Sequence, residues 1–191
     1  QMLFRYEDDS ILLPRPVLPG NHQLWNAASA LAAFRIIAPD HFTPEILSTG
    51  LANVEWPGRL QTLENHDFID LVPSDWEIII DGGHNDSAGL VLADQMHEWI
   101  KTDPRPLHLI LAMVSRKDPA AFLKPLLPYV KSITTVEIEG EVTTYAADDL
   151  AAIARTLGFK NVSAAPGVEE ALRQVAMAEN QKSRILMTGS L

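Results

Sequence analysis

The sequence predicts an α/β fold: a mostly parallel sheet with helices on both faces, in a Rossmann-like three-layer arrangement with one antiparallel edge. Three observations carry this. Over the last two thirds of the chain, β-like runs alternate with amphipathic stretches of roughly 10 to 15 residues, the spacing of βαβ crossovers. Of the 191 residues 47% are hydrophobic and 21% charged, the balance of a packed globular chain. No repeat, low-complexity stretch or heptad seam points to a solenoid or a coiled coil.

Residues 2–6 mix apolar and aromatic side chains, turn through Glu7-Asp8-Asp9-Ser10 and continue as Ile11-Leu12-Leu13, which reads as a hairpin. Pro14, Pro16 and Pro19 with Gly20 break the strand, and Asn21 is placed to cap an alanine-rich helix over 22–37 whose small residues allow close packing. Pro39 ends that helix, a second short one follows Thr43-Pro44, and Pro57-Gly58 punctuates the chain before Arg59. A domain boundary is expected between 51 and 57, giving domains 1–53 and 54–191. Leu60 to Leu63 and Phe68 to Leu71 flank Asn65-His66-Asp67 like a hairpin, the source of the antiparallel edge. Strands are then predicted at 77–81, 107–114, 132–138, 161–165 and 184–188. Helices are predicted at 86–101, at 118–129 with a late interruption by Pro125 and Pro128, at 148–157 ending at Gly158, and at 168–179. Leu92, Met96, Trp99 and Ile100 make an i, i+4, i+7, i+8 stripe, expected to be core. Both chain ends read as β structure without a secretory signal, so a portion of a longer protein is expected.

Fifteen Lys and Arg against 25 Asp and Glu leave a formal charge of −10, which argues against a broad footprint on nucleic acid. Any anion site must be local. The absence of Cys excludes disulfides and thiolate metal clusters. No apolar run approaches the ~18 residues that span a membrane.

In an open parallel sheet, ligands bind beyond the carboxyl ends of the strands. Three groups fall there. Asp81-Gly82-Gly83-His84-Asn85-Asp86 follows strand 77–81, with two glycines for close backbone approach, a helix start behind them and a carboxylate suited to ribose hydroxyls; a plain turn and helix cap would use the same residues. Ser115-Arg116-Lys117-Asp118 follows strand 107–114, where Lys117 offers a point charge for phosphate or carboxylate and Asp118 before Pro119 is also a good cap. Gly189-Ser190 closes the last strand with a hydroxyl. None of the ten glycines is followed by Lys, so there is no P-loop, and no G-x-S-x-G elbow occurs. The six histidines show no zinc-ligand spacing, and all but His22 and His84 are expected at the surface or at caps.

Taken in order, these segments carry a resemblance. Leu18-Pro19-Gly20-Asn21-His22-Gln23 with Asn26-Ala27, then Trp56-Pro57-Gly58-Arg59-Leu60-Gln61, then Ile80-Asp81-Gly82-Gly83-His84-Asn85, Lys117-Asp118 and Thr188-Gly189-Ser190-Leu191 resemble the successive signatures of the folylpolyglutamate synthase and dihydrofolate synthase family, the folate branch of the Mur ligases. Gly83 stands where that family commonly has Ala, and Asp86 where it commonly has Pro.

The resemblance implies the end of a central P-loop ATPase domain at 1–53 and a Mur ligase C-terminal domain at 54–191. It also implies a cytoplasmic enzyme that catalyses the ATP-dependent joining of L-glutamate to folate or dihydropteroate through an acyl phosphate. By the same resemblance Asn26 would contact the adenine end of ATP, Arg59 a phosphate and Asp81 the ribose. His84 would stand between nucleotide and glutamate, with a catalytic role shared by Lys117. Lys117, Asp118 and Ser190 would face the glutamate, while His22 and Gln23 are as readily structural. Mg2+ ligands are expected outside these residues, so the chain alone is expected to be inactive. Partners would be the small-molecule substrates, with no nucleic acid, no membrane and a monomeric state. A cell-wall Mur ligase acting on a UDP-MurNAc-peptide is the rival enzyme, disfavoured by Gln23 and the 56–61 signature. A non-catalytic α/β nucleotide-binding module is the rival of another class.

Overall fold

The computed structural model describes residues 1–64, 68, 70–138, 140 and 143–190. Strands β1 (Met2–Tyr6) and β2 (Asp9–Leu13) pair antiparallel, with Met2 opposite Leu13 and Tyr6 opposite Asp9. The turn between them places Glu7 at φ +53°, the left-handed geometry that a two-residue hairpin turn demands. Helices α1 (His22–Ile37) and α2 (Pro44–Asn53) bury Ala27, Leu31, Leu47 and Leu51 against Phe4 and Leu13. Thr43 caps α2 by accepting from the Ile46 N–H. Asn21, expected to cap α1, does not: its Oδ1 accepts from the Arg15 guanidinium at 2.9 Å instead, a charged donor winning over a backbone amide.

These elements form one compact unit, Gln1–Leu60, and the rest of the chain a second, Gln61–Leu191. The division falls after Leu60 rather than after residue 53. Within the first unit Trp56 and Arg59 share a cavity wall with α1 and α2, and Leu60 is buried, which holds the segment after α2 to this unit.

The second unit is a six-stranded sheet in the order β3-β4-β8-β5-β6-β7, comprising β3 (Gln61–Thr62), β4 (Glu77–Asp81), β5 (Leu107–Ala112), β6 (Ser132–Thr135), β7 (Val162–Ala164) and β8 (Arg184–Gly189). All neighbours are parallel except β3, which runs antiparallel to β4 with Gln61 opposite Ile80. The antiparallel edge is thus present, but its partner is β4. The Leu71 N–H donates to the Phe68 carbonyl, and Asn65, His66, Asp67 and Ile69 lie outside the described residues. Side-chain alternation sends Ile78, Ile110, Ile185 and Met187 to one face, under Ala171, Leu172 and Val175 of α6 (Val168–Ala178). Ile79, Leu109, Leu111 and Leu186 turn to the other face and are fully or almost fully buried there. Helices α3 (Asp86–Thr102), α4 (Pro119–Leu123) and α5 (Ala147–Thr156) complete the element order.

Several predicted elements are shorter than expected, among them strand 161–165, which spans Val162–Ala164. Strand 107–114 ends at Ala112, with Val114 continuing only as an isolated bridge to Thr144. Strand 132–138 stops at Thr135. Helix 118–129 is α4 followed by a single 3-10 turn, Lys124–Leu126, because Pro125 has no N–H to continue the α-helical ladder. In the stripe of α3, Leu92 and Met96 are buried but Ile100 is 48% exposed. The end of α3 meets charge instead: the Arg184 guanidinium lies 4.4 Å over the Trp99 ring and Arg184 Nε donates to Glu77 Oε2 at 2.6 Å.

His108 departs from the expected surface position. It is 4% exposed at the start of β5, stacked on Trp76, with Nδ1 2.7 Å from Ser132 Oγ and Nε2 3.6 Å from Glu179 Oε2, which itself accepts from Lys131. Burial holds the imidazole below its ordinary value, opposed by the Glu179 charge and reinforced by Lys131. The unfolded chain therefore takes up this proton at a higher pH than the folded one, and stability is lost as pH falls below about 6.5. Urea midpoints recorded from pH 7 to 5 are expected to fall, and to fall less in His108→Gln; parallel curves for the two proteins would remove His108 as the cause.

Candidate functional site

Five of the seven residues singled out in the sequence lie at the carboxyl edge of the second unit's sheet. The register levels three strand ends: Asp81 of β4 is opposite Thr188 of β8, and Ala112 of β5 is opposite Gly189. Asp81 is 8% exposed, and its Oδ1 accepts from the Gly83 N–H at 2.8 Å, an Asx turn that curls the chain back over the strand end. At Gly83 an added Cβ would stand 2.8 Å from Asp81 Oδ1 and 3.0 Å from the Ala88 Cβ, so the Asp81 carboxylate would have to shift to admit an alanine there. Asn85 then takes extended geometry and caps α3, its Oδ1 accepting from the Ala88 N–H at 2.9 Å.

His84 Nδ1 lies 2.9 Å from the Gly82 carbonyl oxygen. A carbonyl only accepts, so Nδ1 is the donor of this bond, which makes Nε2 the acceptor whenever the ring is neutral. The loop is tied to the central strand as well, since Thr188 Oγ1 donates to the Gly83 carbonyl at 3.1 Å.

Ser190 and the 115–118 segment are stitched together on the other side of β8. The Ser190 N–H donates to the Ala112 carbonyl at 2.9 Å, and Ser190 Oγ accepts from the Val114 N–H at 3.2 Å. Gly189 has φ +120°, and a Cβ there would sit 1.8 Å from the Ala112 carbonyl oxygen. Lys117 is half-buried; its N–H donates to the Val114 carbonyl, its own carbonyl accepts from the Tyr145 hydroxyl, and its ammonium forms no ion pair among the described residues. Asp118 is occupied as the α4 cap, with Oδ1 accepting from the Ala120 and Ala121 N–H groups at 2.9 and 3.1 Å. Leu191, the last residue of the fifth signature, lies outside the described residues.

Asn26 and Arg59 belong to the first unit, where both line a cavity of about 620 Å3. Asn26 Nδ2 donates to the oxygen of the buried Gln23 amide at 2.9 Å, and Arg59 Nη1 donates to the Gly58 carbonyl at 3.1 Å. Phe34, Leu47 and Trp56 give the same cavity apolar walls, so it combines flat apolar surface with an amide pair and one exposed guanidinium. Trp56 and Thr188 were both within the sequence signatures, but neither position alone discloses what its side chain touches.

Among the described residues no group of three His, Cys, Asp or Glu side chains could hold a metal ion, so the residues present do not fit a magnesium site. Among the same residues no helix is long and apolar enough to cross a membrane.

Comparison with known proteins adds relatives of one kind. The dihydrofolate synthetase of Saccharomyces cerevisiae is 26% identical over 184 residues, covering 91% of this chain and 42% of the yeast protein. The chain thus spans well under half the length of that curated relative. The folylpolyglutamate synthase of Mycobacterium tuberculosis, solved in complex with ADP and AMPPCP, superposes with a TM-score of 0.75 at 24% identity over 92% of this chain and 39% of its own. E. coli FolC in complex with DHPP and ADP superposes with a TM-score of 0.71 at 24% identity over 94% of this chain and 38% of its own. At these identities the structural likeness is one of fold. Residues 64–191 match the dihydrofolate synthetase C-terminal domain family, and the chain belongs to that family.

Proposed function

We propose that this chain supplies the nucleotide- and glutamate-facing part of an ATP-dependent folylpolyglutamate or dihydrofolate synthase, its first unit being the end of the central ATPase domain. In this reaction the γ-phosphoryl group of ATP passes to a carboxylate of dihydropteroate or of a folate glutamyl tail, giving ADP and an acyl phosphate. The amine of glutamate then attacks the acyl carbon and phosphate leaves. Catalysis of this kind rests on positioning and charge neutralisation. The observation that carries the proposal is the loop 81–85: a carboxylate at a strand end, held by its own turn, with a capped helix start behind it and a histidine that offers an acceptor nitrogen. Two relatives by fold were solved with ADP bound, and one of these with DHPP, which supports ATP and a pterin carboxylate as substrates.

On this reading Asp81 binds the ribose, Asn26 the adenine end and Arg59 a phosphate. His84 presents Nε2 to the incoming amine, while Lys117 and Ser190 hold the glutamate carboxylate side. Asp118 shares that region but acts chiefly through its cap. The magnesium ligands and the phosphate loop lie in sequence not contained in these 191 residues. A cytoplasmic monomer fits the acidic surface and small-molecule substrates.

The test is ADP release. A protein carrying this chain behind a phosphate-binding loop is expected to release ADP only when a pteridine carboxylate and glutamate are both present. The 191 residues alone are expected to give none above a blank; ligation by them, or ADP release indifferent to glutamate, would overturn the reading. In the longer protein Arg59→Ala is expected to cost roughly tenfold to a hundredfold in kcat/KM, the loss of one charged contact, without a change in melting temperature. Asp81→Asn keeps the turn acceptor for Gly83 and removes only the charge, so it is expected to raise KM for ATP while the loop stays formed. Wild-type kinetics in both variants would sink the assignment.

A further inference from the structure

Thr188 is 2% exposed near the end of the central strand β8, between Asp81 on one neighbour and Leu111 on the other. Ile185 and Met187 point into the core under α6, so strand alternation turns Thr188 to the opposite face. From there its hydroxyl reaches a residue 105 positions away in sequence, donating to the Gly83 carbonyl at 3.1 Å. The amide on the other side of Gly83 donates to Asp81 Oδ1 at 2.8 Å. Gly83 is therefore gripped at both ends, by the strand that precedes it and by the strand that arrives last. Two further facts give this grip a chemical consequence. The peptide whose carbonyl Thr188 holds is the one that joins Gly83 to His84, so fixing its plane fixes the direction from which the His84 side chain leaves the backbone. The His84 ring in turn bonds the Gly82 carbonyl through Nδ1, which is possible only while that direction is kept.

We infer that Thr188 is the positioning residue of the loop 81–85: by holding the Gly83 carbonyl it sets the orientation and the tautomer in which His84 is presented. The inference rests on the proposed function for its catalytic meaning, since it concerns the same loop. Its geometry stands apart from that reading, because the hydroxyl-to-carbonyl bond needs no ligand. A strand threonine with a purely packing role would be replaced by valine, which has nearly the same shape, at little cost to the loop. A positioning threonine would not, and serine would rescue it.

The experiment compares the 191-residue chain with Thr188→Val and Thr188→Ser by nuclear magnetic resonance, without nucleotide. In wild type the His84 ring nitrogens are expected to show the Nδ1–H tautomer. Thr188→Val is expected to shift His84 toward a mixture of tautomers and to speed amide exchange of Gly83 and His84 on the order of three- to tenfold, the weight of one hydrogen bond. Thr188→Ser is expected to keep the wild-type signature. If Thr188→Val does not fold, Thr188→Ala is read in the same way. An unchanged tautomer and unchanged exchange in the variant lacking the hydroxyl would overturn the inference, and so would a serine variant that behaves like valine. A separate measurement of ADP release by the longer protein that carries this chain behind a phosphate-binding loop tests the nucleotide reading alone. Failure there with the tautomer result intact would dismiss the function and leave the positioning role.

Discussion

Gly189→Ala is expected to unfold the second unit or come close to it. The added Cβ would lie 1.8 Å from the Ala112 carbonyl oxygen and 2.9 Å from the carbonyl carbon, and φ +120° is a region that L side chains rarely adopt. Neither neighbour can yield, because β5 and β8 are paired through six consecutive positions ending at this one. Backbone strain of this kind alone costs about 1–3 kcal/mol, and a clash with main chain adds to it, so a loss above about 4 kcal/mol is expected. The measurement is a thermal melt followed by far-ultraviolet circular dichroism, with a drop of roughly 10 °C or more expected. A variant melting within two or three degrees of wild type would show that the β5 and β8 ends are not packed as described. A milder outcome, folded but with altered exchange at Ser190 and Val114, is not expected, since the Ser190 bonds depend on the same strand register.

Gly89→Ala is expected to reverse the usual sign of its substitution. In the middle of an exposed helix, alanine for glycine stabilises by about 1 kcal/mol. In α3 the added Cβ would stand 2.4 Å from the Phe122 carbonyl oxygen and 3.1 Å from its carbonyl carbon, all main-chain atoms of α4. Pushing two helices apart over buried Leu92, Met96, Phe122 and Leu123 is overpacking of the core, and a net loss of about 2–3 kcal/mol is expected in urea denaturation. Stabilisation would mean that α3 and α4 do not approach so closely. The separation would also move Asp118 and Lys117, which sit just before α4, so this variant is a test of the site from a distance.

The alternation of strand and helix was readable because each element carries its own punctuation. Helix 22–37 was bounded by Gly20 and Pro39, and strand 77–81 by the Gly82-Gly83 pair, and these bounds depend on neighbours in sequence. The misreadings concern partners far along the chain. The hairpin expected around 65–67 requires knowing that Gln61 finds Ile80, and the length of β5 that Val114 leaves the sheet to meet Thr144. His108 is the clearest case: one polar residue in an apolar run reads as exposed until Ser132, Glu179 and Lys131, distant in sequence, are found around it.

The same distinction runs through the candidate site. Asp81, His84 and Asn85 were legible because their bonds are local turns and caps, two or three residues long. Thr188 was not, because a hydroxyl in a strand announces nothing about a carbonyl 105 residues earlier. Asp118 was correctly weighed as a cap, and the two amides it accepts from give that role a physical basis.

The position of β8 also governs how the protein comes into being. It is the last strand of the sheet in chain order, yet it occupies a central place, between β4 and β5. Before residues 184–189 are synthesised, β4 and β5 have no bond to one another, and each presents an unpaired apolar edge that other chains can bind. A nascent chain that has not yet reached β8 therefore holds a sheet with its middle missing, and closure waits for a strand whose partners lie as far as 107 residues back. Such long-range closure makes folding slow and leaves the nascent chain prone to aggregation. Building the sheet around a strand made after both of its neighbours is expected to make synthesis dependent on chaperones.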